Sequence, residues 1–72
     1  MNDLHNTNIE RAILSTIIFE PSVYEDIAAA LNPEDFYLPF HKVLFETMME
    51  LERDNKPIDE EFLKKELEKK KR

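Results

Sequence analysis

The chain contains no glycine, no cysteine and no tryptophan in its 72 residues. Without glycine there is no phosphate-cradling loop and no dinucleotide-binding turn, because both bring the backbone closer to a phosphate than a Cβ allows. Without cysteine, thiol catalysis and disulfides are excluded, and a structural zinc site lacks its usual ligands. A chain this short buries only about 60% of its unfolded surface. Its stability must therefore come from helix packing. No apolar run approaches the roughly 20 residues that a membrane span needs. The start, Met1-Asn2-Asp3-Leu4-His5, does not have the form of a signal peptide. A soluble, cytoplasmic, single-domain protein is expected.

Charge is unevenly distributed. Up to Leu63 there are 14 acids and 4 bases, and from Lys64 onward 2 acids and 6 bases. An acidic body argues against tight binding of nucleic acid, which needs a basic groove to displace counterions. The terminal run Lys69-Lys70-Lys71-Arg72 has the composition to touch phosphate. The plainer reading is a solvated helix end whose cations suit the negative pole of the helix dipole.

The pattern of apolar residues predicts an all-α fold, a compact bundle of four short helices with one extra turn before the third. Thr7 and Glu10 have capping-box spacing and open a first helix that runs to about Phe19. Pro21 ends that segment. Ser22 and Glu25 offer a second capping box, and Val23, Ile27, Ala30 and Leu31 follow at helical spacing. Asn32-Pro33-Glu34-Asp35 reads as a capped turn, after which the bulk of Phe36 and Tyr37 is expected to turn inward. Pro39 suits the first position of the third helix. Phe40, Val43, Leu44, Thr47, Met48 and Leu51 form its apolar stripe, and Asn55 is the residue to take a left-handed cap. Pro57-Ile58-Asp59 opens the last helix, with Asp59 as cap and Ile58 stapled to Leu63. Phe62, Leu63 and Leu67 give that helix a narrow apolar stripe.

No catalytic constellation emerges. Ser15 and Ser22 have no His–acid pattern to activate them. His5 and His41 lie 36 positions apart, which leaves a metal site without preorganised ligands. No catalytic residue, cofactor or metal is expected in this chain. His41 reads as a half-buried histidine bonded to a backbone carbonyl or an acid. Phe45 and Met49 extend the apolar surface around the third helix, and Phe19 and Tyr24 flank the turn between the first two. These four form either a second core face or an exposed patch for a partner.

The ordered set Asp35-Phe36-Tyr37, Pro39, His41, Val43-Leu44-Phe45, Leu51 and Pro57-Ile58-Asp59 resembles the N-terminal domain of DnaB-type replicative DNA helicases. Ile9-Glu10-Arg11-Ala12-Ile13-Leu14 resembles that domain's first helix. No single piece is diagnostic; the ordered set at these spacings is specific. Asn55 stands where the family often has a glycine. The resemblance implies a non-catalytic collar domain, spanning residues 1–72, that supports a hexameric ring and docks the C-terminal domain of primase. It also implies that the family's helical hairpin, linker and RecA-like ATPase lie beyond this region, with ATP-driven unwinding belonging there. Under it, Phe19, Tyr24, Phe45 and Met49 are the candidate partner-binding residues. Two alternatives stand beside it: the helicase-binding C-terminal domain of primase, and an unrelated small helical binding module. A small metal-dependent or carboxylate enzyme is a third class, for which the sequence nominates no residue.

Overall fold

The computed structural model describes residues 6–70. They form α1 (Thr7–Phe19), a 3-10 turn (Pro21–Val23), α2 (Tyr24–Ala28), a second 3-10 turn (Pro33–Asp35), α3 (Pro39–Arg53) and α4 (Glu60–Lys70). The all-α architecture of four helices is as the periodicity predicts.

The start of α1 differs from the expected capping box. Asn6, not Thr7, is the cap, and its Oδ1 accepts the Ile9 N–H at 3.0 Å. Moving the cap back one residue puts Glu10 at the fourth helical position, where it bonds as an ordinary helical residue to the Asn6 carbonyl. Its side chain is thereby turned away from the cap. The second predicted box is also absent. Pro21 starts a 3-10 turn, the Ser22 hydroxyl lies 3.4 Å from Glu20 Oε2, and α2 begins only at Tyr24. α2 is five residues long and ends before the alanine run finishes. Beyond it, Leu31 still donates to the Ile27 carbonyl, which turns the chain toward Asn32.

The connections around α3 follow sequence chemistry closely. Asp35 accepts the Asn32 N–H at 2.8 Å, which fastens the second 3-10 turn. At the far end Asn55 has φ 60°, the left-handed conformation that a non-glycine residue reaches least badly as asparagine. The Lys56 N–H donates to Leu51 O, and the Asn55 N–H to Glu52 O. That pair of bonds is a Schellman closure of α3. Asp59 then caps α4 by accepting the Phe62 N–H at 2.9 Å. Ile58 and Leu63, at staple spacing, are both buried in the same cluster.

One core holds these pieces together. Leu14 and Ile17 come from α1, Tyr24 from α2, Phe45, Met48 and Leu51 from α3, and Leu63 from α4. Phe36 enters between α1 and α3 with its ring 5.2 Å from that of Phe45, as the inward plug expected of it. Tyr37, expected inward with it, is half exposed because its backbone is held where α3 begins and the next side chain points outward. The buried face of α3 is also rotated from the predicted stripe. His41 and Phe45 are buried, whereas Phe40 is 58% exposed. The one polar group at the centre of the core, Thr47, satisfies itself by donating to Val43 O at 2.7 Å.

These burials make a paired prediction. Phe36→Ala should cost about 3–5 kcal/mol, comparable to the whole stability of a domain this size. Phe40→Ala, on the same apolar segment, should cost under about 1 kcal/mol. Thermal melts followed by circular dichroism are expected to show a lost transition for the first and a nearly unchanged one for the second.

Candidate interaction surface

The entry to α3 has no side-chain cap of its own. Leu38 occupies the cap position with a side chain that cannot accept a hydrogen bond, though its carbonyl accepts the Lys42 N–H at 3.1 Å, and Pro39 simply removes one donor. The backbone that leads into α3 is held instead by an acceptor from α1. The Glu10 carboxylate receives the Tyr37 N–H at 2.6 Å and His41 Nδ1 at 2.8 Å, with the Leu38 N–H at 3.5 Å. Burial favours the protonated acid. The His41 hydrogen bond, the two N–H groups and the charge of His41 outweigh it and hold the carboxyl below its ordinary value of 4.5. An ionised carboxylate only accepts, so Nδ1 of His41 carries the proton in this contact. The negative charge also lies at the positive pole of α3. His41 is thus a buried histidine bonded to an acid, as its position in the sequence suggests.

Fixing that corner presents the first turns of α3 to the outside. Pro39, Phe40, Val43 and Leu44 form one wall of an open groove of about 830 Å³. Ile18 at the end of α1 closes one side, and Leu63 and Leu67 of α4 form the other wall. Glu60, Lys64, Glu68 and Lys70 line its edges, so charges of both signs surround an apolar floor. The groove exists because α3 is apolar around more than half its circumference. The narrow stripe of α4 covers only part of that surface. Such a floor of large apolar side chains is suited to taking apolar anchors of another polypeptide.

The four residues named from sequence as partner candidates are separated by the fold. Tyr24 and Phe45 are core residues, 8% and 0% exposed, with ring centroids 6.2 Å apart. Their rings pack in the core, because the buried face of α3 turns toward α2 and Phe36, and of the two only Tyr24 keeps an edge at the surface. Phe19, at the last position of α1, is 90% exposed, and Met49 is 38% exposed on the outer side of α3. Neither lines the groove. The groove's own residue, Phe40, was assigned by spacing to the core. Its signal was the excess width of the apolar arc on α3, which one short partner helix cannot cover.

Among the described residues no three His, Asp or Glu side chains are grouped to hold a metal ion. His5 lies outside the described residues. No helix among them is long and apolar enough to cross a membrane.

The Glu10 contacts set a pH dependence. A carboxyl whose folded pKa is depressed contributes stability that is complete above its unfolded value and is lost as pH falls through the folded one. Glu10→Gln should cost about 1–3 kcal/mol at neutral pH by weakening the bonds to Tyr37 and His41. The gap between parent and variant melting temperatures should close as pH falls through 4.5 and below. A gap that stays constant down to about pH 3 would mean that the charge of Glu10 contributes nothing.

Comparison with known proteins fits these features together. The chain matches the family described as DnaB-like helicase N terminal domain over residues 2–72. It is 42% identical over 62 residues to "Replicative DNA helicase DnaB" of Helicobacter pylori strain J99, covering 86% of this chain and 13% of that protein. It is 38% identical over 55 residues to the protein of the same name from Pasteurella multocida, covering 76% of this chain and 12% of that one. The chain therefore spans about an eighth of the length of these relatives. No solved structure matches it at the same stringency. The Glu10–His41 corner, the Phe36 plug and the Pro57-Ile58-Asp59 entry to α4 all lie inside the matched span, and the chain belongs to the DnaB-like helicase N-terminal domain family.

Proposed function

We propose that this chain is the non-catalytic collar domain of a hexameric replicative DNA helicase, working in the cytoplasm to support the ring and to dock the C-terminal domain of primase. The observation that carries the docking role is the open groove walled by Phe40, Val43 and Leu44 on α3 and by Leu63 and Leu67 on α4. A soluble domain gains nothing from leaving a phenylalanine 58% exposed beside two aliphatic walls unless something covers it. The relatives' shared name, replicative DNA helicase, supports the parent activity. ATP hydrolysis and strand separation then belong to the remainder of the parent protein. The acidic body supports a protein partner over a nucleic acid: a net charge of −6 repels phosphate and steers a basic partner inward.

The test puts Phe40→Glu into the full-length helicase and measures binding of a primase C-terminal domain by calorimetry. Binding should weaken about tenfold or more while the ring stays assembled by light scattering. Phe19→Glu and Met49→Glu serve as parallel arms, because both residues are exposed outside the groove. Loss of primase binding in either of those with Phe40→Glu unaffected would move the docking site out of the groove. Unchanged binding in all three, with each ring intact, would refute a primase-docking role for these surfaces.

The 72-residue chain alone is expected to be a monomer or weak dimer at micromolar concentration. Ring interfaces commonly bury more than about 1,000 Å² each. Against a total exposed surface of 5215 Å² that is a heavy demand. Light scattering that gave a stable trimer or hexamer at low micromolar concentration would contradict this.

A further inference from the structure

A second concavity, of about 650 Å³, lies along the last turns of α3 where that helix passes Tyr24 and Pro33. It shares no residue with the groove at the first turns. Tyr24 forms part of its wall while being only 8% exposed. The ring packs on Phe45, and among the described residues the hydroxyl has no hydrogen-bond partner. Burial, and then the charge of Glu52, push this hydroxyl's pKa up. It stays a neutral group able both to donate and to accept.

The charges around the cleft are unequally occupied. Glu50 is held by Lys70 at 3.0 Å, and Arg53 by Asp54 at 3.5 Å. Glu46 and Glu52 also line the cleft, and among the described residues neither takes part in an ion pair. Met49 lies three residues from each and is 38% exposed between them. The surface thus offers an apolar strip, an unused hydroxyl and two uncompensated carboxylates. An anion is repelled there. A wholly apolar ligand would strip water from both carboxylates with nothing in return. A side chain with an apolar stem and a cationic head satisfies all the parts. Arginine fits better than lysine, since its planar fork of donors can serve a carboxylate and a hydroxyl together. Six residues of helix separate Glu46 from Glu52 by about 9 Å along the axis, beyond the reach of one guanidinium.

We propose that this cleft receives a basic segment of a partner protein, one arginine lying over Met49 with its guanidinium on Glu52 and the Tyr24 hydroxyl, and a second basic side chain on Glu46. The acidic body of the chain complements such a segment at longer range. The site stands apart from the groove and does not depend on what occupies that groove.

The probe is the blocked peptide acetyl-Arg-Ala-Ala-Arg-amide, titrated into the chain and followed by amide chemical shifts. Shifts are expected to concentrate at Tyr24, Glu46, Met49 and Glu52. Glu52→Gln, at an exposed position, should weaken binding about fivefold, and Tyr24→Phe, which keeps the ring on Phe45, about threefold. Glu60→Gln on the rim of the other groove should leave binding unchanged. The same peptide with citrulline in place of arginine should not bind. Shifts spread evenly over the acidic surface, or equal affinity for the citrulline peptide, would overturn the proposal. So would an unchanged affinity of the folded Glu52→Gln variant, or an equal footprint from spermidine.

Discussion

A single buried carboxylate fixes the geometry of this domain. Glu10 belongs to the first turns of α1, yet its hydrogen bonds are made 27 to 31 residues away, to Tyr37, Leu38 and His41. Leaving an acid unpaired in that position would cost several kilocalories, roughly what a small domain has in total. The chain can bury Glu10 only by bringing the entry of α3 against α1. Once that is done, Phe36, one residue before the bonded N–H groups, is aimed into the core. Its ring meets Phe45 on one side and stands edge-on to His41, at 6.4 Å, on the other. The polar corner and the aromatic plug are therefore one construction.

The same corner determines what the surface offers. α3 has no side-chain cap, so no polar side chain is folded over its first turn, and Phe40 is left exposed above Val43 and Leu44. α4 is anchored at its beginning, where Ile58 and Leu63 are buried, and carries a thin apolar stripe beyond that. Its later turns are largely Lys and Glu, joined to α3 by the Lys70–Glu50 contact. An open groove is the consequence of setting a broad apolar helix against a narrow one. In a chain with no glycine and no cysteine, stronger closure by a tight turn or a disulfide is not to hand.

Much of the fold was legible in the order of residues because the signals were local. Asn55 had to take the left-handed position for want of glycine, and its φ of 60° and the Schellman bonds follow. Asp59 caps α4 and Pro39 begins α3 because each acts on backbone groups within one turn of itself. The two capping boxes failed for an equally local reason. A competitor stood next to each: Asn6 took the cap from Thr7, and Pro21 began a 3-10 turn where Ser22 was to cap. A spacing rule does not say which of two adjacent cap formers prevails.

The sequence by itself determined the helical class, both ends of α3, the cap of α4 and the inward Phe36, since these depend on residue type and short spacing. Which side of α3 is buried was decided only by the tertiary structure. Phe40 and Phe45 are equally apolar and both lie on a continuous arc, and spacing ranked them the wrong way round. The partner of Glu10 supplied the ranking. By pulling His41 inward it rotates Phe45 and Met48 into the core beside Tyr24 and turns Phe40 out. Tyr24 and Phe45 thus became core, Phe19 and Met49 stayed outside, and the groove formed among residues that spacing had assigned to the core. A helix with more apolar surface than its neighbours can cover leaves its outward face to be chosen by the few polar contacts that must be satisfied.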